Sequence, residues 1–125
     1  MKKRVLILED DQDTAYILGF LTRQLNLEVI TSNKALFIPD IKRLSPDLII
    51  SDHLLGIELG GNLCKTLKSK ESTREIPVLL ISGAVDLPKI ARECEADDYV
   101  AKPFESNEIL DKIWELIYKK KFSFA

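Results

Sequence analysis

Short apolar runs separated by longer amphipathic stretches set the rhythm of the chain. Val5-Leu6-Ile7-Leu8, Leu48-Ile49-Ile50 and Val78-Leu79-Leu80-Ile81 are continuous apolar segments bounded by Arg4 and Glu9, Asp47 and Ser51, and Pro77 and Ser82. Runs of this length and composition read as strands buried on both faces. The pattern predicts strands over residues 5–8, 27–31, 48–51, 76–81 and 99–101, with Pro77 tolerable only near the start of the fourth. Between them the apolar positions recur at helical spacing. Ala15, Leu18, Leu21 and Leu25 share one face of a helix that Asp11 or Asp13 caps and Asn26 closes. Residues 34–44 carry Ala35, Leu36, Ile38, Ile41 and Leu44 at helical spacing, but Pro39 interrupts them and predicts a kinked, shortened or late-starting helix. A third helix opens near Gly60-Gly61-Asn62 and turns Leu63, Cys64 and Leu67 inward. A short fourth helix, capped by Asp86, carries Leu87, Ile90, Ala91 and Cys94. The last has Ser106 as its cap, turns Ile109, Leu110, Ile113, Trp114 and Ile117 inward, and ends in Lys119-Lys120-Lys121, cations suited to a helix C-terminus.

Strands that alternate with helices call for an α/β fold: a parallel sheet covered on both faces through right-handed crossovers. At 125 residues the chain is expected to be a single domain over 1–125, with 119–125 a basic tail or the start of a linker. Hydrophobic residues make up 46%, charged residues 30%, and the formal net charge is −2. That balance fits an ordinary globular protein and argues against direct nucleic-acid binding, which needs a basic face. The N-terminal apolar run stops at Leu8, too short for a signal peptide or a spanning helix, so a cytoplasmic protein without a membrane partner is expected. Cys64 and Cys94 are far apart in sequence and read as buried, reduced small hydrophobes, with no spacing that supports a disulfide or metal pair. His53, the one histidine, supplies neither a zinc site nor a triad and reads as a loop side chain.

The chemistry gathers at the carboxyl ends of the predicted strands, where open parallel sheets place their sites. Glu9 and Asp10 follow the first strand, Asp52 the third, Ser82 the fourth and Lys102 the fifth. Neighbouring strands lie about 4.8 Å apart, so the carboxylates share one crevice and repel one another unless a cation sits among them. Glu9, Asp10 and Asp52 are hard oxygen ligands suited to Mg2+. Lys102 supplies a positive charge for a phosphoryl group and Ser82 a hydroxyl donor. With them one carboxylate can accept phosphorus, and Asp52 is the candidate because it alone is central.

Leu8-Glu9-Asp10-Asp11, Asp47 to Asp52, Ile76-Pro77-Val78 with Ser82-Gly83-Ala84, and Ala96 to Phe104 together resemble the receiver domain of two-component response regulators, in that family's order and over nearly the whole chain. The resemblance implies a flavodoxin-like (βα)5 fold, a doubly wound five-stranded sheet of strand order 2-1-3-4-5. It implies Glu9 and Asp10 as the acidic metal pair, Asp52 as phosphoacceptor and Mg2+ ligand, and Leu54 as a ligand through its backbone carbonyl. Ser82 resembles the switch hydroxyl, Tyr99 the switch aromatic that turns inward, and Lys102 the phosphate-contacting lysine, with the Lys102-Pro103 bond cis. The phosphodonor would be a phosphohistidine on a sensor kinase or phosphotransfer protein, and the output a surface that engages a downstream protein. Such a protein catalyses only its own phosphoryl transfer and dephosphorylation. Gly56 stands where the family usually has proline, and Glu95 where it usually has glycine, so a positive φ there would strain Glu95.

Two other readings compete. A pseudo-receiver scaffold would keep the fold without phosphorylation. An aspartyl-phosphate phosphatase of the haloacid-dehalogenase kind needs Asp-x-Asp-x-Thr or Val, and Asp11-Gln12-Asp13-Thr14-Ala15 departs from it at the fifth position.

Overall fold

The computed structural model describes residues 2–55 and 58–118. Its main sheet holds five parallel strands: β1 (Arg4–Leu8), β2 (Glu28–Ser32), β3 (Leu48–Asp52), β4 (Val78–Ser82) and β5 (Asp98–Ala101), in the spatial order 2-1-3-4-5. The helices between and after them are α1 (Gln12–Gln24), α2 (Ile38–Leu44), α3 (Gly60–Ser69), α4 (Leu87–Glu93) and α5 (Ser106–Tyr118). This is the doubly wound flavodoxin-like arrangement expected.

Alternation along the strands divides the core in two. Val5, Ile7, Leu48, Ile50, Leu79 and Ile81 point to one face, where Leu18 and Leu21 of α1 and Ile109 and Ile113 of α5 cover them. Leu6, Leu8, Ile49 and Leu80 point to the other, against Ile41, Cys64, Leu67 and Ala91 of α2, α3 and α4. Every residue of β3 and β4 is buried, which is why these strands read as unbroken apolar runs. Each fully buried aliphatic side chain contributes about 1.5–3 kcal/mol relative to exposure. The core therefore fixes the strand register that the polar ends inherit.

Local chemistry sets the helix boundaries. Asp11 is the N-cap of α1: its carboxylate accepts from the Thr14 N–H at 2.9 Å and the Thr14 hydroxyl at 2.6 Å. The two bonds from Thr14 hold its pKa below the ordinary value. Asn26 follows the helix in the left-handed region, φ 60°. Pro39 lies in the first turn of α2, where a missing N–H costs no helix bond, so the helix starts late rather than kinking. Asp86 is the N-cap residue of α4 as expected, though its side chain makes no cap bond and Pro88 removes one of the two N–H groups it could bind. One expected cap needs correction. Ser106 is the first residue of α5 rather than its cap. The lysine run 119–121 and Gly56 lie outside the described residues.

Asp97 ties the far edge together. Its Oδ2 accepts from the Val78 N–H at 2.8 Å and from Lys68 Nζ at 2.7 Å, while Lys68 also reaches the Ile76 carbonyl at 2.8 Å. Glu95, just before it, has φ 62°, the left-handed conformation that its place in the chain suggested.

Candidate functional site

Strand register assembles the site. Leu8 stands opposite Ser32 on β2 and Ser51 on β3, so Glu9 and Asp52 leave adjacent strands side by side. The Glu9 N–H donates to the Ser32 carbonyl at 3.0 Å, which extends the ladder by one residue into the site. Asp52 pairs with Ile81, and Ser82 with Ala101. The Lys102 N–H donates to the Ser82 carbonyl at 2.9 Å, so β4 and β5 deliver their polar residues at the same level. The chain leaves β1 towards one sheet edge and β3 towards the other, and Asp10 and Asp52 flank that switch point.

Ligand oxygens of Glu9, Asp10 and Asp52 lie within 4.8 Å of one another. Lys102 Nζ donates to Glu9 Oε1 at 2.6 Å and to Asp52 Oδ2 at 2.7 Å. The Leu54 N–H donates to Asp52 Oδ1 at 3.0 Å, so both oxygens of this carboxylate are oriented. Glu9 is almost wholly buried, and its Oε2 is the one buried side-chain polar atom among the described residues without a hydrogen-bond partner. Burial, and then the neighbouring Asp52 carboxylate, push the Glu9 pKa up to about 7, against the opposing pull of Lys102. For Lys102 burial works against the charge, but the hydrogen bonds to Asp52 and Glu9 outweigh it and raise the pKa above its ordinary value. A single lysine thus partly neutralises a cluster with room for more positive charge. The orphaned Oε2, beside two further carboxylates and with no sulfur or imidazole in the set, fits a hard divalent cation.

Among the expected site residues, Glu9, Asp10, Asp52 and Lys102 come together in this cluster. Ser82 lies one position beyond the partner of Asp52, fully buried, its Oγ accepting from the Ala84 N–H at 3.1 Å. Leu54 meets the site through its N–H. Tyr99 is 39% exposed on β5, with Lys112 Nζ 5.8 Å from its ring centroid. The Lys102-Pro103 peptide bond is cis.

Two contributions escaped the sequence reading. Gly60 opens α3 directly against β3: a Cβ there would fall 2.2 Å from the Asp52 carbonyl oxygen and 2.8 Å from Ser51 Oγ. His53 is more than a loop side chain. Its Nδ1 accepts from the Gly61 N–H at 3.1 Å and its carbonyl from the Gly60 N–H at 2.7 Å, which caps a helix whose own N-cap residue, Leu59, makes no side-chain bond. The Gly60-Gly61 pair beside a strand end was the available signal for the first; a cap supplied from eight residues upstream leaves none.

The chain that carries this acidic cluster matches the response regulator receiver domain over residues 5–114. The chain belongs to the response regulator receiver family. Sensory transduction protein RegX3 of Mycobacterium tuberculosis is 32% identical to this receiver domain over 111 residues, 87% of this chain and 48% of that protein. The chain spans about half the length of the curated relatives it matches. A putative response regulator from Chloroflexus aurantiacus superposes with a TM-score of 0.86 at 29% identity, covering 94% of this chain and 98% of that one. The signal receiver domain of a Syntrophus aciditrophicus signal transduction histidine kinase gives 0.80 at 27% identity, with 98% of each chain covered. Receiver domains are signalling proteins. No described helix is long and apolar enough to cross a membrane.

Proposed function

We propose that Asp52 accepts a phosphoryl group from a phosphohistidine on a sensor kinase or phosphotransfer protein, with Mg2+ held by Glu9, Asp10, Asp52 and the Leu54 carbonyl. The two-sided hold on Asp52, with Lys102 on Oδ2 and the Leu54 N–H on Oδ1, supports this reading most directly. It orients a carboxylate at the mouth of the sheet and leaves a positive charge beside the attacking oxygen. When bound, the metal supplies charge neutralisation for the incoming phosphoryl oxygens.

An oxygen of Asp52 attacks phosphorus, the bond from phosphorus to the donor imidazole nitrogen breaks, and the imidazole leaves with the electron pair. Lys102 stays beside the acceptor and pairs with a phosphoryl oxygen. The Ser82 hydroxyl, now an acceptor for Ala84, turns its hydrogen to another phosphoryl oxygen. Tyr99, outward in the structure, moves toward the space this opens, and the altered surface engages a downstream protein. Thr14, Ile17, Pro103 and Phe104 line a groove that ends at Lys102, a route by which a histidine-bearing partner reaches the site. Transfer to water then regenerates Asp52, so the chemistry is confined to the protein's own phosphoryl group.

The test is intact-protein mass after incubation with a small acyl phosphate and Mg2+, beside Asp52→Asn and a chelated sample. Gain of one phosphoryl group only in the wild type with Mg2+ is expected. No gain, with Mg2+ binding also absent, would replace this reading with an unphosphorylated scaffold; turnover of a small phosphate ester would replace it with a phosphatase.

A further inference from the structure

Folding brings together two cysteines that the sequence holds far apart. Cys64 lies on the inner face of α3 and Cys94 is the C-cap of α4. They are free thiols, exposed by only 1% and 4%. Cys64 Sγ donates to the Cys94 carbonyl at 3.4 Å, which places it within a side-chain length of that residue's backbone. The Cys94 thiol donates to the Ala91 carbonyl at 3.6 Å, so a rotation about its χ1 is the movement that would bring the two sulfurs together. A groove of about 180 Å³, lined by His53, Asn62, Lys65, Ile90 and Glu93, ends on Cys94 and gives a small oxidant access from solvent.

We propose that Cys64 and Cys94 are an oxidation site, forming a reversible intrachain disulfide that ties α3 to the C-terminal end of α4. The oxidant is a hydroperoxide. Cys94 sulfur, as thiolate, attacks the near oxygen; the O–O bond breaks, the sulfur becomes a sulfenic acid and the far oxygen leaves as hydroxide or alkoxide that takes up a proton. Cys64 sulfur then attacks Cys94 sulfur; the S–S bond forms, the S–O bond breaks, and hydroxide leaves as water with the Cys64 proton. The order follows from the environment. The neighbouring Cys64 thiol favours the thiolate at Cys94 against the opposing effect of burial, while Cys64 itself is held up by that neighbour and by burial. The restraint falls on the helix that follows Ser82.

The test exposes the full folded chain to hydrogen peroxide, quenches with catalase, and then alkylates it in denaturant. The expected result is loss of two hydrogen masses, no alkylation, a cross-linked Cys64–Cys94 peptide, reversal by a reductant, and a thermal midpoint several degrees higher when oxidised. Cys64→Ser should accumulate a sulfenic acid at Cys94 that dimedone traps. An early dimedone time course on the wild type reads the same order should that variant fail to fold. Two alkylated thiols after oxidation, or cross-links only between chains, would overturn the proposal; dimedone capture at Cys64 first would overturn the order.

Discussion

Replacing Lys102 by methionine tests whether the acidic cluster is held together by this one side chain. The substitution keeps the length of the stem and removes the charge that now sits 2.6 Å from Glu9 Oε1 and 2.7 Å from Asp52 Oδ2. Removing one partner of a buried ion pair costs about 3–5 kcal/mol, because the other charge is left behind. The Lys102 side chain is 25% exposed, so the low end, about 3 kcal/mol, applies. In a domain of this size that is a fall in thermal midpoint of roughly 10 °C. The loss depends on pH. Glu9 has a folded pKa near 7, above its ordinary 4.5, so the native state binds more protons than the unfolded state in that window. Stability therefore falls as pH rises from about 4.5 to 7. Without Lys102 the folded pKa climbs further, and the penalty keeps growing past pH 7. The assay is thermal unfolding of metal-free wild type and Lys102→Met at pH 5 and pH 8, followed by circular dichroism. The gap between the two proteins should be small at pH 5 and large at pH 8, and millimolar Mg2+ should narrow it. A gap that is the same at both pH values would refute the reasoning, since it would place the lost stability in packing of the lysine stem.

Two further substitutions probe the frame around the cluster. Gly60→Ala places a methyl group 2.2 Å from the Asp52 carbonyl oxygen, a backbone clash that no rotamer relieves. It should cost about 3 kcal/mol or more in urea unfolding and slow phosphorylation of whatever protein remains folded; a midpoint equal to wild type would refute the contact. Glu95→Gly should stabilise modestly. Relief of the left-handed backbone, about 1–2 kcal/mol, exceeds the about 0.4–1 kcal/mol of extra unfolded-chain entropy. A lower midpoint than wild type would mean that the Glu95 side chain makes a compensating contact.

How much was legible follows from which forces act locally. The strands stood out because both faces of β3 and β4 are buried, so no polar alternation obscures Leu48-Ile49-Ile50 or Val78 to Ile81. The late start of α2 was readable from Pro39, whose effect is confined to its own turn. Asp11 and Asp13 were equivalent in sequence, and only the bonds from Thr14 separate them. Asp86 was readable as the N-cap of α4, but that its side chain makes no cap bond was not. Gly60, the His53 cap and the Cys64 approach to Cys94 all depend on tertiary docking of α3 against β3 and α4. Their residue types are ordinary, and only their juxtaposition is informative.

That docking also explains why the cluster exists at all. Three carboxylates would separate if they were on independent loops, yet Glu9 and Asp52 immediately follow or end strands whose register the core fixes. Moving either strand by one residue would exchange the side chains of the two core layers and draw a polar end residue into the apolar interior. The core thus compels a like-charge contact that local electrostatics disfavours, and burial first, then the Asp52 carboxylate, raise the Glu9 pKa. Lys102 relieves it only in part and from one side, leaving Glu9 Oε2 without a partner. A site held this way responds to added charge, because a cation relieves a repulsion that the fold cannot relax. The proposed phosphoryl group on Asp52 would add negative charge to the same crevice and compete for Lys102, so Glu9 would need its compensation elsewhere. On the proposed reading, the groups that answer are the buried Ser82 hydroxyl, whose only shown bond is to the Ala84 N–H, and the exposed Tyr99.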